Sequence, residues 1–273
     1  MAIILPTYAD VKRINFIYIW QSVNLRLMNR NEFRQLFRCT GPAVTPVIHV
    51  LDAQQTAKNI DIAIDAGVPG VFLINHDFPV DEFLPVVRET RARYPSLWIG
   101  LNFLAVPGDR AFPVLAQLER DGCRIDAYWA DDACIDEHTT LEAQITANKI
   151  KEIREQSGWT GFYLGGTCFK KQREVSVANY GVAAELATHF MDAVCTSGLA
   201  TGMEADLDKI SAFRESIGEH VLALASGITP DNASAYHQVD CFMVATGINL
   251  DGDFYNIDPL KLDRLMTITE EMQ

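Results

Sequence analysis

The sequence predicts an α/β fold, a (β/α)8 TIM barrel with an N-terminal extension. Short apolar runs alternate with longer amphipathic segments after about residue 42, and eight such pairs can be counted. A length of 273 residues suits one barrel better than two small domains. Residues 1–42 read as the extension and 43–273 as the barrel. A doubly wound open sheet is the alternative architecture.

The strands are expected at 44–50, 70–74, 97–103, 125–130, 161–164, 193–196, 221–225 and 241–245. Each is short and apolar on both faces, as strands covered by helices on one side and by a filled lumen on the other must be. Helices are expected at 53–66, 81–94, 109–121, 140–157, 175–189, 204–217, 230–237 and 259–271. Thr229-Pro230-Asp231 places a hydroxyl at an N-cap, proline at the first helical position and a carboxylate in the first turn, and Asp258-Pro259 repeats the device. Gly67, Gly122, Gly158 and Gly218 fall just after amphipathic runs, where a left-handed residue ends a helix. In the extension, Phe33, Leu36 and Phe37 share one helical face, which would plug the barrel base or pack on a neighbouring subunit.

Net charge and cysteine usage narrow the function. A formal charge of -13 and a pI near 4.8 give a surface that repels polyanions, so nucleic acid and anionic membranes are not expected partners. Within residues 10–40 the balance reverses: Lys12, Arg13, Arg26, Arg30, Arg34 and Arg38 face only Asp10 and Glu32. The six cysteines have no C-x-x-C spacing, which argues against a zinc knuckle, a redox motif or a disulfide framework and suits a reducing cytoplasm. The apolar run at 14–20 is far short of a membrane span, and residues 1–5 lack the positive region of a signal peptide.

In a barrel of this kind the chemistry sits where the strands end. Ser226-Gly227-Ile228-Thr229-Pro230 follows an apolar strand, and Thr246-Gly247 follows the next; their amides and hydroxyls form a cradle for phosphate. Thr201 and Gly202, after the sixth strand, adjoin it. Lys170, Lys171 and Arg173 are the basic cluster at a strand end; Lys170, nearest the strand, could offset anionic charge, and the other two read as surface charge. Asp131 and His49 are the candidates for moving a proton, Asn75 and Asn102 for orienting a ligand's hydroxyl or carbonyl. Asp131 with His76 and Asp77 also has ligand types suited to a divalent ion, although no metal is assigned. Nothing in the sequence names a cofactor.

Laid out in order, these residues resemble the BtpA family, barrel proteins named for a photosystem I biogenesis factor. The similarity runs from about residue 44 to 266. It rests on Asp192-Ala193-Val194, Ala200-Thr201-Gly202, Ser226 through Asn232, Phe242-Met243-Val244, and Asp251-Gly252 before Asp258-Pro259. Ile48-His49, Asn75, Gly100-Leu101-Asn102 and Lys170 also look like that family's strand-end residues. Departures are present. Val50-Leu51-Asp52-Ala53 replaces a proline-rich loop, Ala245 stands where a glycine is usual, and Asn249 and Leu250 stand where the family carries paired lysines.

The resemblance implies a barrel with a phosphate-bearing ligand, and some relatives are described as phosphoribosyl-handling enzymes. The expected function is an enzyme of sugar-phosphate, nucleotide or phosphoribosyl metabolism. The alternative, from the family's namesake and the anion loop after strand eight that lacks the paired lysines, is a non-catalytic assembly or regulatory factor, for which the basic segment 10–40 is the feature to watch. A homo-oligomer is compatible with either.

Overall fold

The computed structural model describes residues 28–170 and 172–272. Lys12, Arg13, Arg26, Lys171 and the segments at 1–5 and 14–20 lie outside the described residues. The chain enters through helix α1 (Arg30–Phe37), then alternates β1 (Ala43–His49), α2 (Ala53–Asp65), β2 (Gly70–Asn75), α3 (Val80–Arg93), β3 (Trp98–Phe103), α4 (Gly108–Arg120), β4 (Ala127–Ala130) and α5 (Ile145–Ser157). It continues through β5 (Phe162–Gly166), α6 (Tyr180–Ala187), β6 (Ala193–Thr196), α7 (Leu207–Ile217), β7 (Val221–Ala225), β8 (Cys241–Val244) and α8 (Pro259–Glu271). All eight strands are parallel, and β8 pairs with β1 through Ala43↔Cys241 to Pro46↔Val244, closing the barrel.

Side-chain alternation along these strands builds two cores. Val47, Phe72, Ile74, Trp98, Trp129, Phe162, Leu164 and Met243 fill the lumen, while Ile48, Leu73, Leu101, Phe103, Tyr128, Tyr163, Leu222 and Phe242 face the helices. The same alternation makes His49, Asn102 and Asp131 the next inward positions after Val47, Gly100 and Trp129.

Helix α1 closes the base of the lumen. Asn29 and Glu32 form a reciprocal capping box, and Phe33, Leu36 and Phe37 are buried, with the Phe33 ring 5.7 Å from Phe162 and Phe37 edge-on to Trp98 at 5.3 Å. Of the two places predicted for this apolar face, it occupies its own barrel. Two of its basic residues are used there as well: Arg30 Nε and Arg34 Nη2 donate to Asp240 at 3.0 and 3.1 Å.

Asp240 belongs to a device repeated three times at the N-terminal ends of the strands. Immediately or shortly before β4, β6 and β8 stand the buried carboxylates of Asp126, Asp192 and Asp240. Each accepts from a backbone amide of the preceding strand: Ile99 N at 2.9 Å, Tyr163 N at 2.7 Å and Leu222 N at 3.0 Å. Each also accepts from an arginine on the helix before that strand: Arg91, Arg154 and Arg214. The arginines also donate to loop carbonyls, such as Leu97 O at 2.7 Å for Arg91 and His220 O at 2.9 Å for Arg214, while Arg154 Nε is buried without a hydrogen-bond partner among the described residues. Buried charges are costly unless paired and hydrogen-bonded, and each latch pairs its carboxylate with an arginine and a backbone amide.

One predicted helix is much reduced. Between β7 and β8 the segment expected at 230–237 is only a 3-10 turn, Ala233–Tyr236. The cap chemistry is present, with Asp231 N donating to Thr229 Oγ1 at 3.2 Å and Thr229 N to Asn232 Oδ1 at 2.9 Å. Tyr236 then buries its ring and donates to Ala205 O at 2.7 Å, and Val239 and Asp240 must already lead into the next strand, so the helix has no length in which to propagate. The other stop signals behave as expected: Gly67, Gly122, Gly158 and Gly218 all have positive φ. No helix among the described residues is long and apolar enough to cross a membrane.

Candidate functional site

A cavity of about 600 Å³ opens at the C-terminal ends of the strands. His49, Asp131, Lys170, Thr201, Gly202, Ser226, Gly227, Thr246 and Gly247 all line it. Asn75 and Asn102 do not. Asn75 is buried with both ends of its amide spent on backbone: Nδ2 donates to Phe78 O at 2.8 Å and Oδ1 accepts from Leu104 N at 3.1 Å. It ties the loop after β2 to the loop after β3. Asn102 is fully buried, and its Nδ2 donates to Asp131 Oδ1 at 3.1 Å.

The loops after β6, β7 and β8 lie directly on one another, and glycine is what allows it. A Cβ on Gly227 would sit 2.1 Å from Met203 O, and one on Gly247 would sit 1.8 Å from Ile228 O. Gly227 also has φ +75, and Ser226 before it holds φ +125, a strained conformation for a residue with a side chain. The result is three main chains stacked without intervening side chains. Among the described residues, no backbone or side-chain acceptor takes the amides of Gly227 and Ile228, and Ser226 Oγ is buried without a partner. Gly202 brings the third loop within reach, since a Cβ there would meet Thr246 Oγ1 at 3.5 Å.

Across the mouth, β4 and β5 supply charge. Gln172 Nε2 donates to Asp131 O while Phe169 N donates to Gln172 Oε1 at 3.0 Å, so Gln172 links the loops carrying Asp131 and Lys170. Lys170 N donates to Ser197 Oγ at 2.8 Å, and its ammonium lies 5.6 Å from the Phe169 ring centroid. Beneath these loops, the buried ammonium of Lys209 donates to Cys168 O and to Ser197 O at 2.9 Å, fixing the loops after β5 and β6 together. Arg173 is committed to Glu137, donating from both Nη1 and Nη2, whereas Lys170 lines the cavity wall.

The loop after β8 forms the remaining wall. Gln55 Nε2 and Asn59 Nδ2 both donate to Tyr255 O, at 2.7 and 2.8 Å, and Asn249 Nδ2 donates to Phe254 O at 2.9 Å. These bonds hold Phe254 stacked on His49, with centroids 3.9 Å apart and planes inclined by 26°. Burial, reinforced by the neighbouring His76, depresses the His49 pKa to about 4, so its imidazole is neutral at neutral pH. Its Nδ1 is buried without a protein partner among the described residues, as is Trp129 Nε1 in the cavity floor.

The other residues singled out in the sequence are brought together less closely. Tyr255 Oη donates to Asp77 Oδ2 at 2.8 Å, and His76 Nδ1 lies 3.7 Å from Asp77 Oδ1. Among the described residues no group of three or more His, Cys, Asp or Glu side chains is disposed to hold a metal ion, so His76, Asp77 and Asp131 do not form one. The six cysteines are free, and burial raises the thiols of Cys39, Cys134 and Cys168 to about 11, far from nucleophilic.

Trp129, Phe169, Gln172, Arg110 and Phe254 line the cavity without having been read from the sequence. Trp129 could have been found, because it precedes Asp131 by two on one strand and must share its face. Phe254 could not, since it lies in an irregular loop well beyond its strand.

Solved structures share the fold. The chain is similar to the tryptophan synthase subunit alpha from Legionella pneumophila str. Paris, at 14% identity and a TM-score of 0.59 over 89% of this chain and 99% of that one. It is similar to N-(5'-phosphoribosyl)anthranilate isomerase from Pyrococcus furiosus at 12% identity and a TM-score of 0.56, over 84% and 99% of the two chains. The phosphoribosyl anthranilate isomerase from Thermus thermophilus gives 13% identity and a TM-score of 0.54 over 84% and 99%. At such identities the likeness is one of fold. No curated protein matches the sequence. The BtpA family model matches residues 174–271, the stretch that holds β6, β7, β8 and α8. The resemblance of this chain to the BtpA family is thereby shown over its C-terminal third.

Proposed function

We propose that the protein is a barrel enzyme acting on a small phosphate-bearing molecule. Phosphate would lie against the loops after β7 and β8, accepting from the amides of Gly227 and Ile228 and from the hydroxyls of Ser226 and Thr246, with Lys170 offsetting its charge. Asp131, oriented by Asn102, and neutral His49 would move protons. The observation that carries this reading is convergence: an unpartnered hydroxyl and amides at β7, a lysine at β5 and two proton-transfer groups at β1 and β4 all border one cavity. The fold neighbours named as isomerase and synthase subunit support a catalytic use of such a barrel, and their names carry nothing about this chain's substrate.

The test is ligand-dependent stabilisation. A compound at 100 times its dissociation constant adds roughly 2.7 kcal/mol to folded-state stability. Inorganic phosphate and pentose phosphates should raise the melting temperature of the wild type, and Lys170→Met should lower their affinity about tenfold, the loss expected for one charge-assisted hydrogen bond. If no phosphorylated compound shifts the melting temperature, the reading fails.

A further inference from the structure

We propose that the cavity takes a planar heteroaromatic ring between the aromatic walls on its β1 and β4–β5 sides, beside the phosphate at the Gly227 and Gly247 turns, making the ligand a nucleoside monophosphate in class. The inference rests on the phosphate reading for one end of the ligand and on the aromatic walls for the other. In the closed strand order β1 and β5 stand opposite each other. On the β1 side His49 is stacked on Phe254, with His76 edge-on to both at 5.7 and 5.2 Å. On the opposite side Trp129 and Phe169 meet at 5.8 Å, inclined by 62°. Each group borders the cavity, so aromatic faces and edges flank it from both sides.

Two polar atoms on these walls are buried and lack protein partners among the described residues. Trp129 Nε1, in a residue only 4% exposed, can only donate; His49 Nδ1, in a residue 7% exposed, can donate or accept. A buried polar group left without a partner is costly, so a ligand that engages both gains from doing so. A sugar phosphate has no flat π face to stack on the aromatic walls and no ring nitrogens. A nucleobase presents both a face for them and ring-edge acceptors and donors for the two nitrogens. The volume of about 600 Å³ falls within the range of pockets that enclose ligands larger than a sugar phosphate.

The experiment is calorimetric titration of the full chain with inorganic phosphate, ribose 5-phosphate, a nucleoside and the corresponding nucleoside 5′-monophosphates, alongside tryptophan fluorescence. Nucleoside monophosphates should bind at least tenfold tighter than ribose 5-phosphate and quench the emission of Trp129. Trp129→Phe should abolish that quenching, and Phe254→Leu should lower affinity for the nucleotides more than for ribose 5-phosphate, with circular dichroism checking that both variants fold. If ribose 5-phosphate binds as tightly as every nucleotide, the ring proposal is overturned and the phosphate reading stands. If the nucleoside binds as tightly as its monophosphate, the phosphate reading falls and the ring proposal stands. Binding by none of them overturns both.

Discussion

Gly247 offers a direct probe of the stacked loops. A methyl group there would stand 1.8 Å from Ile228 O, 2.9 Å from Ile228 C and 3.2 Å from Thr229 Cα, all of them backbone. A normal carbon–oxygen contact is about 3.3 Å, so Gly247→Ala must push the loops after β7 and β8 apart by about 1.5 Å. Gly247 is absent from the positive-φ glycines, so the whole effect is steric. Overpacking of this kind costs about 1–3 kcal/mol, or roughly 2–12 °C in melting temperature for a chain of this size. Gly202→Ala is the control: with φ +78 and its nearest neighbour, Thr246 Oγ1, at 3.5 Å, it incurs backbone strain of about 1–2 kcal/mol and displaces nothing. The assay is thermal unfolding with and without phosphate. Gly247→Ala should lose phosphate-dependent stabilisation, whereas Gly202→Ala should keep it. An alanine at 247 that melts within a degree of the wild type and retains its response to phosphate would refute the close approach of the two loops.

Two further outcomes follow from buried charge. Arg214→Met removes the arginine on Asp240 Oδ2 and leaves that oxygen with Leu222 N alone, so it should cost about 3–5 kcal/mol, clearly more than Arg34→Met, which shares Oδ1 with Arg30; equal losses in urea unfolding would contradict the latch. His49, held neutral with its pKa lowered to about 4, takes up its proton more readily in the unfolded chain, at about 6.5. Its contribution is therefore intact above pH 6.5 and is lost as pH falls towards 4, by up to about 3 kcal/mol, and His49→Gln should flatten that decline; an unchanged profile would count against the burial of His49.

The frame was legible because its signals are local. A buried parallel strand must be apolar on both faces, which sets 70–74, 193–196 and 221–225 apart from their surroundings, and a glycine with positive φ marks a helix end wherever the following loop turns back. The 3-10 turn after β7 was not legible, since Thr229-Pro230-Asp231 starts a helix chemically and says nothing of how soon the next strand must begin. The same limit applied to the site. Asp131, His49 and the two glycine turns follow from position at a strand end, but the bonds of Asn75 to Phe78 O and of Asn102 to Asp131 depend on which neighbours the register supplies. Phe254 and Gln172 reach the cavity only through tertiary bonds to Gln55, Asn59 and the Asp131 carbonyl.

The aspartate–arginine latches beneath β4, β6 and β8 divide labour within the molecule. They knit the strands in pairs at the pole opposite the mouth, where no cavity-lining side chain of the candidate site takes part. The β2 position has Pro69 where the latched strands have a carboxylate, so the first pair carries no such latch, and β1 is joined on its other side by the seam with β8. Loops at the mouth can therefore be lengthened, shortened or rewritten without loosening a single latch. For evolution, and equally for a protein engineer, this barrel is a chassis whose rim of loops can be exchanged while its base goes on specifying the fold.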